Sequence, residues 1–377
     1  MVKQPPIARP KTGADATQAP PASAGPGTLT RRGVLGLVAG AALLSTRAGK
    51  ALGGAGDIRF FRIGTGATSG TYFPIGSELA SALSNPPGSR DCARGGSCGV
   101  PGVIAVAQAS QGSVENVEQV FAGQMESALC QADVASWAFT GTNLFEKRGP
   151  MTSLRALANL YSETIHILVR ADSTIRSIRD LKGKRVVLGE PESGTLVDAR
   201  LVLAACGVTE KDIKGSNAKL ATAEDALKDG TIDAVFQIAG YPVSAIDELA
   251  SSLPIRLLPI PADAGEKLRR KYSFFTDATI PADTYEGIDT DTPTLGIGAE
   301  WIATSALDAD FVYEMVKALW NDSTRRLFDM GHPAGKRILR AHAIDGLALP
   351  LHPGAEKYYR EIGLLVQSSD AELPARP

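Results

Sequence analysis

Four hydroxyls and three glycines crowd into one stretch, Ile63-Gly64-Thr65-Gly66-Ala67-Thr68-Ser69-Gly70-Thr71-Tyr72. Glycines let a backbone come close to a ligand, and the hydroxyls of Thr65, Thr68, Ser69 and Thr71 offer donors. A second stretch, Glu190-Pro191-Glu192-Ser193-Gly194-Thr195, repeats the Ser-Gly-Thr triplet. Ser113, Gln131 and Gly240 stand at further turns. Where such turns open helices, free N–H groups and the positive dipole end favour a carboxylate, phosphate or sulfate without a buried lysine or arginine. Tyr72 and Tyr241 are placed to cover the apolar part of a small ligand. The plain alternatives are a tight turn at Thr65–Tyr72, an N-cap at Ser113 and a satisfied strand-end amide at Gln131.

Sets of residues for covalent or metal chemistry are poorly represented. There is no Gly-x-Ser-x-Gly nucleophile elbow and no Gly-Lys-Ser/Thr phosphate loop. His332, His342 and His352 recur at no standard metal spacing beside turn residues, and read as surface or packing histidines. His166 lies in an apolar run and reads as a core or hinge histidine. Glu190 and Glu192 fit a solvated loop as well as acid–base work. No metal and no cofactor is expected.

The elements that must position these turns alternate between strand and helix. Strands are predicted over Ile58–Ile63, Val103–Ala109, Ser127–Gln131, Leu154–Leu160, Ile165–Arg170, Asp233–Ile238 and Ile255–Ile260. Helices are predicted over Ile75–Leu83, from Ser113 to Gly123, over Leu196–Ala205, Ala223–Lys228, Val243–Leu249 and Phe311–Trp320. The alternation argues for α/β layers with mostly parallel sheets. The chain also partly repeats itself. Each half carries a Ser-Gly-Thr turn, then a glycine closing a helix and a glutamine near the end of the next strand: Gly123…Gln131 and Gly230…Gln237. Two lobes of similar topology would present their strand ends to a shared cleft, the edge where ligands sit in open parallel sheets.

With 377 residues the chain is long enough for two domains, and a net charge of -2 gives no footprint for nucleic acid. Residues 1–56 read as a leader outside the fold. A Pro-, Ala- and Gly-rich segment precedes Arg31-Arg32, and the apolar run Gly33–Leu44 has 12 residues, well short of the ~20 of a bilayer span. The Arg pair marks a twin-arginine export signal cleaved between Ala48 and Gly56; a general secretory signal and an uncleaved interfacial anchor are the alternatives. In an exported protein Cys92 and Cys98, in a glycine-rich loop, read as a small disulfide, with metal binding as the other reading. Cys130 and Cys206 read as buried free thiols.

Taken in order, these turns resemble the solute receptors of TRAP transporters of the TAXI type. The resemblance rests on Ile63-Gly64-Thr65-Gly66…Ser69-Gly70-Thr71-Tyr72, Gly112-Ser113-Val114-Glu115-Asn116, Gln131-Ala132-Asp133-Val134-Ala135, Leu154-Arg155-Ala156-Leu157-Ala158, Asp180-Leu181-Lys182-Gly183-Lys184-Arg185-Val186, Ser193-Gly194-Thr195, Asp225-Ala226-Leu227-Lys228-Asp229-Gly230 and Ala239-Gly240-Tyr241-Pro242. It spans roughly residues 57–345. It implies a two-lobed periplasmic binding protein, type II-like, with one lobe from residues 57–166 and 297–377 and the other from 167–296. It further implies a non-enzymatic receptor, expected as a monomer, that binds a small carboxylate such as glutamate, glutamine or 2-oxoglutarate and hands it to a TRAP membrane permease. The implied contacts are Thr65, Ser69, Gly70, Thr71, Tyr72, Ser113, Gln131, Ser193, Gly194, Thr195 and Gly240. Ala67 stands where many such receptors have Gly, and the Cys92–Cys98 loop is an insertion. An exported oxidoreductase with a nucleotide cofactor is the alternative, since Gly64-x-Gly66-x-x-x-Gly70 loosely resembles a dinucleotide turn. Against it, Leu83–Gly88 offers no acidic residue to hold a ribose.

Overall fold

Strand and helix signals resolve into twelve strands and ten α-helices in the computed structural model, which describes residues Ile58–Leu365. The leader, export signal and cleavage region fall on residues outside these. The first half runs β1 (Arg59–Gly64), α1 (Tyr72–Leu83), β2 (Ser84–Asn85), β3 (Val100–Pro101), β4 (Val103–Gln108), α2 (Ser113–Phe121), β5 (Ser127–Gln131), α3 (Ala132–Thr140) and β6 (Leu154–Arg170). The middle runs β7 (Arg185–Val187), α4 (Gly194–Ala205), β8 (Lys214–Ser216), α5 (Leu220–Lys228), β9 (Ala234–Ala239), α6 (Ser244–Ser252), β10 (Ile255–Leu257), α7 (Ala262–Lys271) and β11 (Phe275–Ile280). The chain closes with β12 (Thr292–Thr304), α8 (Ala309–Leu319), α9 (Asp322–Met330) and α10 (Pro353–Glu361).

The main sheet is mixed α/β in character, in the order β4-β1-β5-β12-β6-β9-β7-β8, with β10 added to β6 and β11 to β12. The parallel pairs lie at its flanks: β1 with β4 and β5 on one side, β7 with β8 and β9 on the other. Each of these pairs needs a crossover, and helices supply most of them. The two long central strands pair antiparallel. The sequence signals Leu154–Leu160 and Ile165–Arg170 prove to be one continuous strand, because Tyr161–Thr164 keep extended pairing with β12 through the polar interruption.

The register divides both long strands. Leu154–Thr164 of β6 pair with β12, and Thr164–Val169 pair with β9. On β12, Ala299–Ala303 pair with β5, while Thr292–Ile297 pair with β11. The cores follow the same division. One large cluster packs Phe61, Ile63, Leu79 and Trp301 with Val312 and Tyr359, from the two ends of the chain. Two others pack Ile165, Ile167, Val186, Leu203, Phe236, Leu268 and Ile297, and Leu168, Leu227, Val235 and Ile246, from the middle. The helices bury one stripe each, as their apolar spacing requires: Ile75, Leu79 and Leu83 on α1, Val312, Met315, Val316 and Leu319 on α8.

The histidines are structural. His166 is fully buried, with Nδ1 3.0 Å from the Thr164 carbonyl and Nε2 2.9 Å from the Tyr285 hydroxyl, and burial lowers its pKa to about 4. His332 and His352 each precede a proline and cap the turn that follows, accepting from Ala334 and Gly354 N–H at 3.1 and 3.2 Å. His342 is exposed and faces Asp345. Cys92 and Cys98 form a disulfide, and Cys130 and Cys206 are buried free thiols. Among the described residues no group of His, Cys, Asp or Glu is arranged to hold a metal ion, and no helix is long and apolar enough to cross a membrane.

Candidate functional site

A cavity of about 60 Å³ lies where the β1–α1 turn, the β4–α2 turn and the end of β5 meet the β7–α4 turn and the inner surface of β9. That volume admits several water-sized groups. Gly70, Thr71, Tyr72, Ser113, Gln131, Ser193, Gly194 and Thr195 line it. Gln237, the counterpart of Gln131 in the internal repeat, lines it too. Thr65, Ser69 and Gly240 do not. Thr65 is buried under the turn and donates its hydroxyl to the Gln108 carbonyl at 2.8 Å, while Asn116 Nδ2 holds the Thr65 carbonyl at 2.7 Å. Gly240 acts through its carbonyl, described below. Tyr241 stands off the lining, its ring beneath the Arg337 guanidinium at 4.1 Å.

The hydroxyls are mostly engaged by the protein itself. Ser193 caps α4, accepting from Leu196 N–H at 3.2 Å and donating to the Glu190 carbonyl at 2.7 Å. Thr195 Oγ1 accepts from Ile238 N–H at 3.2 Å. Ser113 is not an N-cap: Gly112 holds that position, and Ser113 Oγ accepts from Gln131 N–H at 3.1 Å. What remains free for a ligand is backbone N–H at the starts of α1 and α4, where no preceding turn exists to accept.

Polar bonds knit the two walls together. Thr71 Oγ1 donates to the Gly240 carbonyl at 2.7 Å, and Gln131 Nε2 donates to Asp198 Oδ2 at 2.8 Å. The first N–H groups of α2, at Val114 and Glu115, donate to the Glu192 carbonyl at 3.1 and 3.2 Å. Arg337 donates to the Tyr241 carbonyl. Each bond joins an element of the chain ends to an element of the middle segment, so the two walls are bonded to each other around the cavity.

Glu163, Asp133 and Asp198 are the acidic groups at the site that sequence reasoning missed; Glu190 is weighed there as a loop residue. Glu163, on β6 where its register divides, lines the cavity and accepts the Tyr72 hydroxyl at 2.7 Å. Burial pushes its carboxyl up to about 8, against the Tyr72 hydrogen bond, which favours the charged form. Burial and the neighbouring Glu163 together hold the Tyr72 phenol protonated. Beside the cavity, Asp133 in the first turn of α3 and Asp198 on α4 form a fully buried carboxyl pair. Oδ1 of Asp198 meets no donor among the described residues, and Asp133 has only the partner carboxyl and the backbone N–H groups of its own turn, at Asp133 and Val134, to favour its charge. Two carboxyls in contact without a cation must share a proton. Burial raises Asp133 to about 6, and burial plus the charge of Asp133 raises Asp198 well above the carboxylate range. Glu190, also lining, is raised by burial, against the pull of Lys219. The sequence carried little signal for the missed groups: Glu163 lies in the polar break Ser162-Glu163-Thr164, and only Asp198 stands in a largely apolar stretch, Leu196–Val202.

Solved structures similar to this chain include the alkanesulfonate-binding protein SsuA from Xanthomonas axonopodis pv. citri bound to MOPS, at 16% identity over 81% of this chain and 85% of that one, TM-score 0.43. The periplasmic sulfonate-binding protein SsuA of a putative sulfonate ABC transporter from Methylobacillus flagellatus KT matches at 15% identity over 85% of this chain and 99% of that one, TM-score 0.45. The periplasmic aliphatic sulphonate-binding protein SsuA from Escherichia coli matches at 14% identity over 81% and 78%, TM-score 0.40. The profile of the NMT1-like family matches residues 63–363, which take in both walls of the cavity and every strand of the main sheet except the first residues of β1, and the chain belongs to the NMT1-like family.

Proposed function

We propose that this chain is an extracytoplasmic solute receptor that closes two lobes around a small carboxylate-bearing solute and hands it to a membrane permease. The observation that carries the reading is a closed cavity whose walls come from two separately cored parts of the chain. The lobes are 57–166 with 297–377, and 167–296; the division of register along β6 and β12 supports these bounds and makes the two strands the hinge. A permease of the TRAP type is the partner, by the likeness to TAXI receptors, and a periplasmic monomer exported by a twin-arginine signal is the form in which it works. The proposed contacts are Gly70, Thr71, Tyr72, Ser113, Gln131, Ser193, Gly194 and Thr195 in the lining, with Thr65, Ser69 and Gly240 shaping the turns.

Solute binding shifts the open–closed equilibrium only as far as the solute favours the closed state. A thermal-shift screen of purified protein against amino acids and mono- and dicarboxylates tests the reading. A solute at 100 times its dissociation constant adds about 2.7 kcal/mol, a rise of a few degrees in Tm. Small-angle scattering with the same solute is expected to show compaction. No shift with any member at millimolar concentration overturns the carboxylate-receptor reading. An exported nucleotide-dependent oxidoreductase is disfavoured because Leu83–Gly88 offers no acidic residue to hold a ribose.

A further inference from the structure

The charge of the cavity wall does not match an anion held by donors alone. No lysine or arginine lines the cavity, and two carboxyl groups do, Glu163 and Glu190. Glu163 is the better placed of the two. It is 2% exposed, and its one hydrogen bond places Oε2 on the Tyr72 hydroxyl. Oε1 accepts no hydrogen bond from any described residue, although the residue borders the cavity. Oε1 is not among the sealed, unpartnered oxygens of the interior, so it opens onto the cavity, and an acceptor without a protein partner there marks a place for a donor on the ligand.

We propose that Glu163 reads a protonated amine on the bound solute, so that the site takes amine-bearing carboxylates and rejects their deaminated counterparts. This rests on the receptor reading above. The solute carboxylate meets the N–H groups at the start of α1 or α4, each twelve residues long. Its ammonium meets Glu163 Oε1, a charge-assisted hydrogen bond in a low-dielectric site. Burial holds the Glu163 carboxyl protonated at neutral pH, up to about 8, and an ammonium beside it favours the carboxylate form. A deaminated analogue of the same length offers Oε1 no donor, and its carboxylate charge is no longer offset by an ammonium beside Glu163 and Glu190. The selectivity comes from an acceptor on the cavity wall that the protein leaves unmatched, and sites built to hydrogen-bond a donor reject analogues that lack it by large factors. Tyr72 is the positioning residue, since its hydroxyl fixes which oxygen of Glu163 faces the cavity.

The test is a set of dissociation constants by titration calorimetry for matched pairs: glutamate against 2-oxoglutarate and glutarate, alanine against pyruvate and propionate. Methylammonium and propylammonium chloride are added as amine-only probes. In wild type, the amine-bearing member of a pair is expected to bind at least tenfold more tightly. E163Q keeps an acceptor for Tyr72 and is expected to narrow that ratio below threefold. Equal or tighter binding of the deaminated member, or a ratio unchanged in E163Q, overturns the proposal. The comparison within wild type stands even where E163Q fails to fold. Binding of the simple amines alone, lost in E163Q, would keep the amine site while sinking the carboxylate-receptor reading. Binding by no amine of any kind overturns the amine site.

Discussion

The two Ser-Gly-Thr turns are alike in sequence and different in structure. In the first, Ser69-Gly70-Thr71 lies ahead of α1, which begins at Tyr72, and Thr71 makes no side-chain cap bond but reaches across to the Gly240 carbonyl. In the second, Ser193 is itself the N-cap of α4 and Gly194 its first residue. The triplets therefore sit two positions apart relative to the helix start, with Thr71 at the N-cap of α1 and Ser193 at that of α4. The first turn is a latch between the walls; the second is a locked helix end against which the opposite wall packs. A Cβ at Gly70 would meet only the Ala67 carbonyl at 3.4 Å, whereas one at Gly194 would fall 1.5 Å from Gln131 Oε1. Recurring residues mark the places where the cleft forms, and helix register decides what each place does.

The largest expected effect breaks the second turn. Gly194→Val forces the Gln131 amide away and with it the bond to Asp198, so the walls cannot close as they do here. A loss of at least a hundredfold in solute affinity is expected, roughly 3 kcal/mol. Small-angle scattering of the variant is expected to show an expanded particle that solute does not compact. Compaction equal to wild type would mean that Gln131 can move at little cost and that the close approach is incidental.

Next in size is the pH dependence set by the buried carboxyls beside that turn. Burial raises Asp133 to about 6, and Glu163 and Glu300 to about 8, so the folded protein holds protons that the unfolded chain has released. Stability is complete below the unfolded pKa near 4 and is lost as pH rises through the folded values, between about pH 4 and 8. Melting temperature is therefore expected to fall from pH 5 to pH 8. Asp198→Asn removes the carboxyl that burial and the charge of Asp133 hold well above the carboxylate range, and so takes that group's share out of the fall with pH. A stability that rises with pH over that window would show that the pair does not share a proton in the folded protein.

The legible part of the molecule was what periodicity and turn chemistry control. The alternation of strand and helix, β5 at Ser127–Gln131 and most of the turns that face the cavity follow from apolar spacing and from glycine. The roles were less legible. Ser113 has the right type for an N-cap, but Gly112 takes the position and leaves its hydroxyl to Gln131. The continuity of β6 was hidden because Ser162-Glu163-Thr164 reads as a polar break. Only its pairing with β12 shows it to be strand. The carboxyl pair was invisible because Asp133 and Asp198 lie 65 positions apart on two helices, and a single sequence carries no signal for contact at that distance.

A smaller effect is expected at Tyr72. Tyr72→Phe removes one buried hydrogen bond and leaves Glu163 Oε2 without its donor, at a cost of about 1–2 kcal/mol. The bond lowers the Glu163 pKa, so its loss raises that value further and steepens the fall of melting temperature toward pH 8. A variant as stable as wild type, with an unchanged pH profile, would mean that Glu163 holds its proton without help from Tyr72.

The smallest expected effect belongs to the first turn, and it is the sharpest check on the contrast. Gly70 does not adopt a positive φ, and an added Cβ would make ordinary contact with Ala67. Gly70→Ala should therefore change the melting free energy by under about 0.5 kcal/mol, with a stabilising contribution from reduced freedom of the unfolded chain. Chemical denaturation with an unchanged m value measures this directly. Solute affinity measured on the same variant separates two roles for the glycine. If affinity is also unchanged, Gly70 serves only the path of the chain into α1. If affinity falls while stability holds, the missing side chain is needed by the solute. The first turn would then contribute by close backbone approach, as the second does by packing against Gln131. A stability loss above 2 kcal/mol would contradict the geometry and erase the difference between the two turns.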